Sequence, residues 1–142
     1  MKVKDILQRK GTDVHTIGPE ATIQQVMETL LEHRIGSLVV CNENRDVLGI
    51  ITERDILREC THQGEHIRST RVRKVMTTKL IVGALDDDIQ YVMGIMTHNR
   101  VRHLPIITST RLIGLISIGD VVKAQLEETE FENRYLREYL SQ

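Results

Sequence analysis

Gly49-Ile50-Ile51-Thr52-Glu53-Arg54-Asp55 and Gly114-Leu115-Ile116-Ser117-Ile118-Gly119-Asp120 decide the reading of this chain, because they are one element written twice. Working outward from them, the flanks also match. Ile23-Gln24-Gln25-Val26-Met27 falls on Ile89-Gln90-Tyr91-Val92-Met93, Arg34-Ile35 on Arg100-Val101, and Leu38 on Leu104, with a one-residue gap in the turn before the glycine. Residues 16–57 and 82–122 are therefore two copies of one pattern. An internal repeat predicts two copies of one supersecondary unit packed on each other, with a pseudo-two-fold relation and two equivalent clefts.

Each copy has the same coarse order. In the first, residues 14–17 are extended. Gly18-Pro19-Glu20 turns the chain and starts a helix, since Pro is tolerated in a first turn and Glu suits the positive end of the dipole. Ile23, Val26, Met27, Leu30 and Leu31 then form the apolar stripe of an amphipathic helix. Residues 35–41 are a dense apolar run, hence a strand buried on both faces. A polar turn at 42–46 leads to a return strand at Val47–Thr52, which makes an antiparallel hairpin. A second helix spans 53–60. In the second copy the counterparts are an extended 80–82, a helix start at Asp86-Asp87-Asp88, the stripe Ile89, Val92, Met93 and Met96, strands at 101–107 and 112–117 about the turn Thr108-Ser109-Thr110, and a last helix running from Gly119 to about Leu140.

The unit is β-α-β-β-α, twice, which places the fold in the α/β (α+β) class with a long C-terminal helix. The polar stretch 61–70 reads as a linker. Val3-Lys4-Asp5-Ile6-Leu7 and Val72-Arg73-Lys74-Val75-Met76 also match, as short helical lead-ins to the copies. A three-stranded sheet with helices on one side leaves a face uncovered. Two such sheets packed face to face would cover both, which gives the duplication a physical reason.

Composition bounds the function. At 142 residues with 40% apolar side chains, the chain can build a core. Aromatics at 3% argue against a base-stacking surface for single-stranded nucleic acid. A net charge of −1 gives no bulk electrostatic reason to bind nucleic acid or an anionic membrane. Cys41 and Cys60 read as free thiols, which fits a reducing cytoplasm. There is no apolar run of membrane-spanning length and no signal-peptide core at the start.

The repeated Thr52-Glu53-Arg54-Asp55 and Ser117-Ile118-Gly119-Asp120 sit where a strand hands over to a helix. One reading is a capping box with Asp in place of the usual Glu or Gln. The other is a ligand site. The free N–H groups of a helix start, with a hydroxyl beside them, suit phosphate, and a carboxylate one turn in suits the vicinal hydroxyls of a ribose. Val101-Arg102-His103-Leu104-Pro105 adds an Arg and a His at a strand start, within reach of phosphate or lying on a solvated edge. The first copy carries Ile35-Gly36-Ser37-Leu38 there instead, so the two clefts are expected to differ in charge.

These residues carry a family resemblance. Lys2 to about Leu126 resembles a tandem pair of cystathionine-β-synthase (CBS) motifs, often called a Bateman module. The match comprises His33-Arg34-Ile35-Gly36-Ser37-Leu38-Val39-Val40, Gly49 to Asp55, Asn99-Arg100-Val101-Arg102-His103-Leu104-Pro105 and Gly114 to Asp120, in order and in register. It divides the chain into a first motif at 1–60, a linker at 61–70, a second motif at 71–126 and a helical extension at 127–142. The resemblance implies a regulatory module that binds AMP, ADP or ATP, or S-adenosylmethionine or NAD, with the Asp of each element on the ribose and the Thr or Ser near phosphate. It also implies clefts built across the pair. One would combine Thr52, Arg54 and Asp55 with Ile81, Val101, Arg102, His103 and Pro105. The other would combine Ser117, Gly119 and Asp120 with Asp13, His15, Ile35 and Gly36. On this reading His15 is the only basic side chain of the second cleft, which favours the Asp55 cleft for a multiply charged ligand.

Two other classes compete with that reading. An enzyme is not expected: the remaining histidines show no metal-ligand spacing, and neither a nucleophile–base pairing nor a P-loop is present, so no cofactor or metal is required. A structural dimerisation module with empty clefts is the alternative. The leading expectation is an adenine-nucleotide-binding homodimer acting on a separate target protein. The C-terminal extension supports dimerisation, because Phe131, Tyr135, Leu136, Tyr139 and Leu140 recur at spacings of three to four in an otherwise acidic tail.

Overall fold

The computed structural model describes residues 1–141, as two compact units. The first-copy unit comprises Asp13–Ile81 with Ile107–Leu112; the second-copy unit comprises Met1–Thr12, Val82–Ile106 and Ile113–Gln142.

In the first-copy unit, β1 (Thr16–Ile17), α2 (Ile23–His33), β2 (Ser37–Cys41), β3 (Val47–Thr52) and α3 (Glu53–Gln63) follow the expected order. The sheet order is β1-β2-β3. β1 pairs parallel with β2, the crossover being α2, and β2 pairs antiparallel with β3 from Ser37↔Thr52 to Cys41↔Val47. All five residues of β2 are buried, as its dense apolar run predicts. The hairpin turn is held by Asn42, whose Oδ1 accepts from the N–H groups of Asn44 (3.0 Å) and Asp46 (2.9 Å).

Two local expectations are corrected here. The helix does not start at Pro19. Its N-cap is Thr22, which forms a reciprocal capping box with Gln25, and Gly18-Pro19-Glu20 only turns the chain. Leu31 leaves the apolar stripe and is 81% exposed, whereas Ile23, Val26 and Leu30 are buried. Residues 61–70, the linker, are structured: α3 runs on to Gln63, a 3₁₀ turn spans Gly64–Ser69, and Ile67 enters the core at 3% exposure. α4 (Val72–Val75) packs Val72 and Val75 into this same core. The tip of the second copy's hairpin also belongs here, through bonds from the N–H of Val47 to Thr110 O (3.0 Å) and from the N–H of Leu112 to Arg45 O (2.9 Å).

The second-copy unit holds α5 (Ile89–Asn99) and the strands β4 (His103–Thr108) and β5 (Arg111–Ser117), whose tip lies with the first copy, followed by α6 (Ile118–Leu140). It also holds α1 (Val3–Lys10), which buries Val3, Ile6 and Leu7. The expected strand at 80–82 is a single parallel bridge one residue on, Gly83↔Ile106. α5 starts at Asp88 without a side-chain cap; the acidic run is used otherwise, with Asp87 Oδ2 accepting from the N–H of Ala84 (2.8 Å). α6 buries Val121 and Ala124, and the five apolar residues of its far end stand 54–80% exposed.

Each lead-in therefore packs in the unit of the other copy, and this explains the repeated glycines. Both lie inside strands rather than in a phosphate-cradling loop. A Cβ on Gly49 would sit 2.8 Å from Thr77 O and 2.9 Å from Met76 Sδ, just past α4. A Cβ on Gly114 would sit 2.8 Å from Leu7 Cδ2 on α1. Glycine at these positions lets a lead-in segment lie directly on the strand.

Candidate functional site

Both candidate elements are capping boxes, so the structural reading of them holds. The N–H of Asp55 donates to Thr52 Oγ1 (3.2 Å), and the N–H and hydroxyl of Thr52 donate to Asp55 Oδ2 (3.0 and 3.1 Å). The other carboxylate oxygen, Oδ1, accepts from the Thr77 hydroxyl (3.3 Å) and lies 3.5 Å from the Arg58 guanidinium. Asp55 is 5% exposed, and among the described residues only Ser37 joins it as a buried polar side chain. A capping carboxylate needs no such burial, and aspartate is rarely buried without a reason.

The second element repeats the box with different company. The N–H of Asp120 donates to Ser117 Oγ (3.1 Å), and the N–H of Ser117 donates to Asp120 Oδ2 (2.8 Å). The Lys10 ammonium, from the end of α1, donates to the same Oδ2 at 2.5 Å and to Leu115 O at 2.9 Å. Partial burial works to raise the Asp120 carboxyl. The Lys10 bond, the Ser117 backbone N–H and hydroxyl, and the Lys10 charge together outweigh it and hold the group below the usual carboxylate range. His103 feels the same cluster. Its own burial and then the Lys10 charge push its imidazole down, Asp120 pulls it up, and Arg102 adds to the depression.

The strand that precedes each helix start is tied in the same way in both copies. The N–H of Glu53 donates to Gly36 O (3.0 Å), and the N–H of Ile118 donates to Arg102 O (2.8 Å). Gly36 and Arg102 thus stand beside the helix start of their own copy. A Cβ on Gly36 would meet only the end of the exposed Glu53 side chain, Oε1 at 2.5 Å.

Of the sequence-predicted residues, Thr52, Arg54, Asp55, Ile81, Asp13, His15, Ile35 and Gly36 lie in the first-copy unit. Val101, Arg102, His103, Pro105, Ser117, Gly119 and Asp120 lie in the second-copy unit. Arg54 and Arg102 are exposed at helix and strand starts, Ile35, Val101 and Ile81 are half-buried, and Pro105 is buried with its carbonyl on the N–H of Gly83 (2.9 Å). His15 stacks on His33, ring centroids 3.9 Å apart and 21° between planes. The residue that sequence reasoning missed is Lys10. The expectation that His15 alone supplies positive charge to the Asp120 element does not stand. Nothing local signals Lys10, which reaches Asp120 across 110 positions of chain.

Among the described residues no group of three His, Cys, Asp or Glu could hold a metal ion, and no helix is long and apolar enough to cross a membrane. Cys41 is buried and Cys60 exposed, both as free thiols. The arrangement offers hydrogen-bond donors, hydroxyls and carboxylates at two helix starts, which is chemistry for holding a polyhydroxyl, phosphate-bearing molecule.

A family model described as CBS domain matches residues 3–62 and again residues 72–127. CBS domain-containing protein CBSX3, mitochondrial, of Arabidopsis thaliana is 35% identical over 146 aligned residues, covering 97% of this chain and 71% of that protein. The crystal structure of the CBS-domain containing protein ATU1752 from Agrobacterium tumefaciens is similar at a TM-score of 0.82 and 42% identity, covering 88% of this chain and 99% of that one. The CBS domain pair of protein MJ0100, in complex with 5′-methylthioadenosine and S-adenosyl-L-methionine, has a TM-score of 0.76 at 22% identity over 90% of this chain and 98% of its own, a likeness of fold.

Proposed function

The chain belongs to the CBS domain family, and on that premise we propose that it is a non-catalytic regulatory module that binds an adenosine-containing ligand and acts on a separate target protein. The observation that carries this reading is the repeated hydroxyl–carboxylate pair at a helix start, with Asp55 buried beyond the needs of a cap. Asp55 and Asp120 hold the ribose hydroxyls, and Thr52 and Ser117 with the adjoining helix N–H groups face the phosphate side. The adenosyl ligands recorded on the MJ0100 pair support the ligand class. AMP, ADP and ATP lead as ligands, with S-adenosylmethionine and NAD next. The module works as a homodimer, with α6 contributing, in a reducing compartment such as the cytoplasm.

The test is a calorimetric titration of nucleotide-free protein with these five compounds, read beside its thermal unfolding. A ligand at 100 times its dissociation constant raises stability by about 2.7 kcal/mol. Asp55→Ala and Asp120→Ala should each abolish one site. Alanine at Arg54, Arg102 or His103, read against the two affinities, assigns each basic side chain to its carboxylate. No heat and no thermal shift with any compound at millimolar concentration refutes the reading. The second reading, a structural pair without ligand, draws on the capping boxes themselves, since every carboxylate contact above is an internal one. It predicts that both aspartate variants lose stability while no compound binds to any form.

A further inference from the structure

We propose that Lys10 sets the charge selectivity of the Asp120 site, admitting ligands that bring their own anion and holding out neutral nucleosides. The inference rests on the ligand-binding reading above and adds to it a residue outside both CBS signature elements. Asp120 Oδ2 already accepts two bonds, from the N–H of Ser117 and from the Lys10 ammonium. A carboxylate oxygen has two lone pairs, so a diol gripped by both oxygens of Asp120 must displace one of these donors. The N–H of Ser117 is fixed by the helix start. Lys10 is the mobile partner, at the end of a four-carbon stem and 37% exposed.

Displacing it is costly unless the ammonium finds another anion, because a charge-assisted bond is about twice as strong as a neutral one. The pocket around it holds no spare anion. Arg9, Lys10 and Lys123 line a cavity of about 140 Å³ together with Asp120 and Glu127. Glu127 is already paired with Arg9, and Lys123 has no ion-pair partner among the described residues. A neutral nucleoside entering here would take the anion of Lys10 and bring none to either ammonium in the lining. A ligand carrying a phosphate would give both a partner and release Asp120 for its ribose. The Asp55 site has no such lock. There the second donor on Oδ2 is the neutral Thr52 hydroxyl (3.1 Å), while Oδ1 takes the Thr77 hydroxyl (3.3 Å) and Arg58 stands off at 3.5 Å. A hydroxyl rotates away at small cost and can itself bond to the incoming ligand. The two sites thus differ in what they refuse rather than only in what they attract.

The experiment uses AMP and adenosine as a charged and a neutral probe. The full chain, Lys10→Gln and Lys10→Arg are titrated with each by calorimetry, and the Asp120 site is identified as the one lost in Asp120→Ala. In the natural chain AMP binds this site more tightly than adenosine. In Lys10→Gln the AMP affinity falls by about tenfold or more, the equivalent of one charged hydrogen bond, while adenosine binds equally well or better. Lys10→Arg keeps the preference for AMP, and answers for any variant that fails to fold. An adenosine-to-AMP ratio unchanged among the three proteins overturns the inference and leaves the proposed function standing. Equal loss of both probes in Lys10→Gln overturns it too, by making Lys10 a packing residue. No binding of either probe to any protein removes the proposed function and the inference with it.

Discussion

Alanine at Gly49 should cost more than alanine at Gly114, although the two glycines are equivalent in the repeat. At Gly49 the new methyl meets the carbonyl oxygen of Thr77 at 2.8 Å and Met76 Sδ at 2.9 Å. The carbonyl is backbone, and it accepts a bond from the N–H of Ile50 (3.0 Å) while the N–H of Thr77 returns one to Ile50 O (2.8 Å). Relief therefore requires pushing the chain beyond α4 off β3, which strains both bonds and withdraws the Thr77 hydroxyl from Asp55. Overpacking of this kind costs about 1–3 kcal/mol. The lower entropy of the unfolded chain returns only about 0.4–1 kcal/mol, leaving a net loss of about 1–2 kcal/mol. At Gly114 the clash is with Leu7 Cδ2, the end of a side chain that can change rotamer, so the net loss should be under about 1 kcal/mol. Urea unfolding reads the difference as a midpoint shift of about 0.5–1 M for Gly49→Ala and about half that or less for Gly114→Ala. The substitution at Gly49 should also weaken ligand at the Asp55 site and leave the Asp120 site unchanged. A Gly114→Ala loss equal to or larger than that of Gly49→Ala would refute the account of these glycines as docking points.

Asp120 has a folded pKa below its unfolded value near 3.8, so it stabilises the fold above that pH, and the contribution is lost as the pH falls through the folded value. Acid unfolding of Lys10→Gln, compared with the natural chain between pH 2 and about 5, should show a smaller loss; superimposable curves would remove the Lys10–Asp120 pair as a cause. His103 is depressed too, so it favours folding while neutral, and stability should decline as pH drops below its unfolded value near 6.5. His103→Gln should flatten that decline in a denaturant series, and an unaltered slope would refute the role of His103 in it. Light scattering should find a dimer for the full chain and weaker association for a chain ending at Leu126, because Phe131, Tyr135 and Leu140 are 72%, 61% and 80% exposed on α6. A full-length monomer rejects the dimer, and an equally stable shortened dimer rejects the role of the helix.

How far these sites could be read in advance depends on the range of the forces involved. β3 starts and stops where its sequence indicates, at Val47 and Thr52, because an apolar run bounded by a polar turn and a capping threonine is a local signal. Thr52 and Ser117 cap as expected for the same reason, since partners three residues apart need no tertiary help. Pro19 misled because a proline at a helix start and a proline in a turn look alike, and Thr22 with Gln25 was the stronger cap. The fold of the linker at 61–70 is not legible, because one buried Ile67 among polar neighbours has no period to reveal it. Lys10 was illegible for a different reason. A lead-in is expected to serve the copy it precedes, whereas α1 packs in the unit of the copy it does not precede. The glycine that permits this packing was visible in both copies, but a glycine in a strand announces only that something comes close. What comes close on α1 is Leu7, and with it, one turn later, the charge that sits on Asp120. The repeat therefore reveals where the two carboxylates are, while the side chains that meet them, Thr77 and Lys10, come from segments that the repeat alone assigns to the other copy.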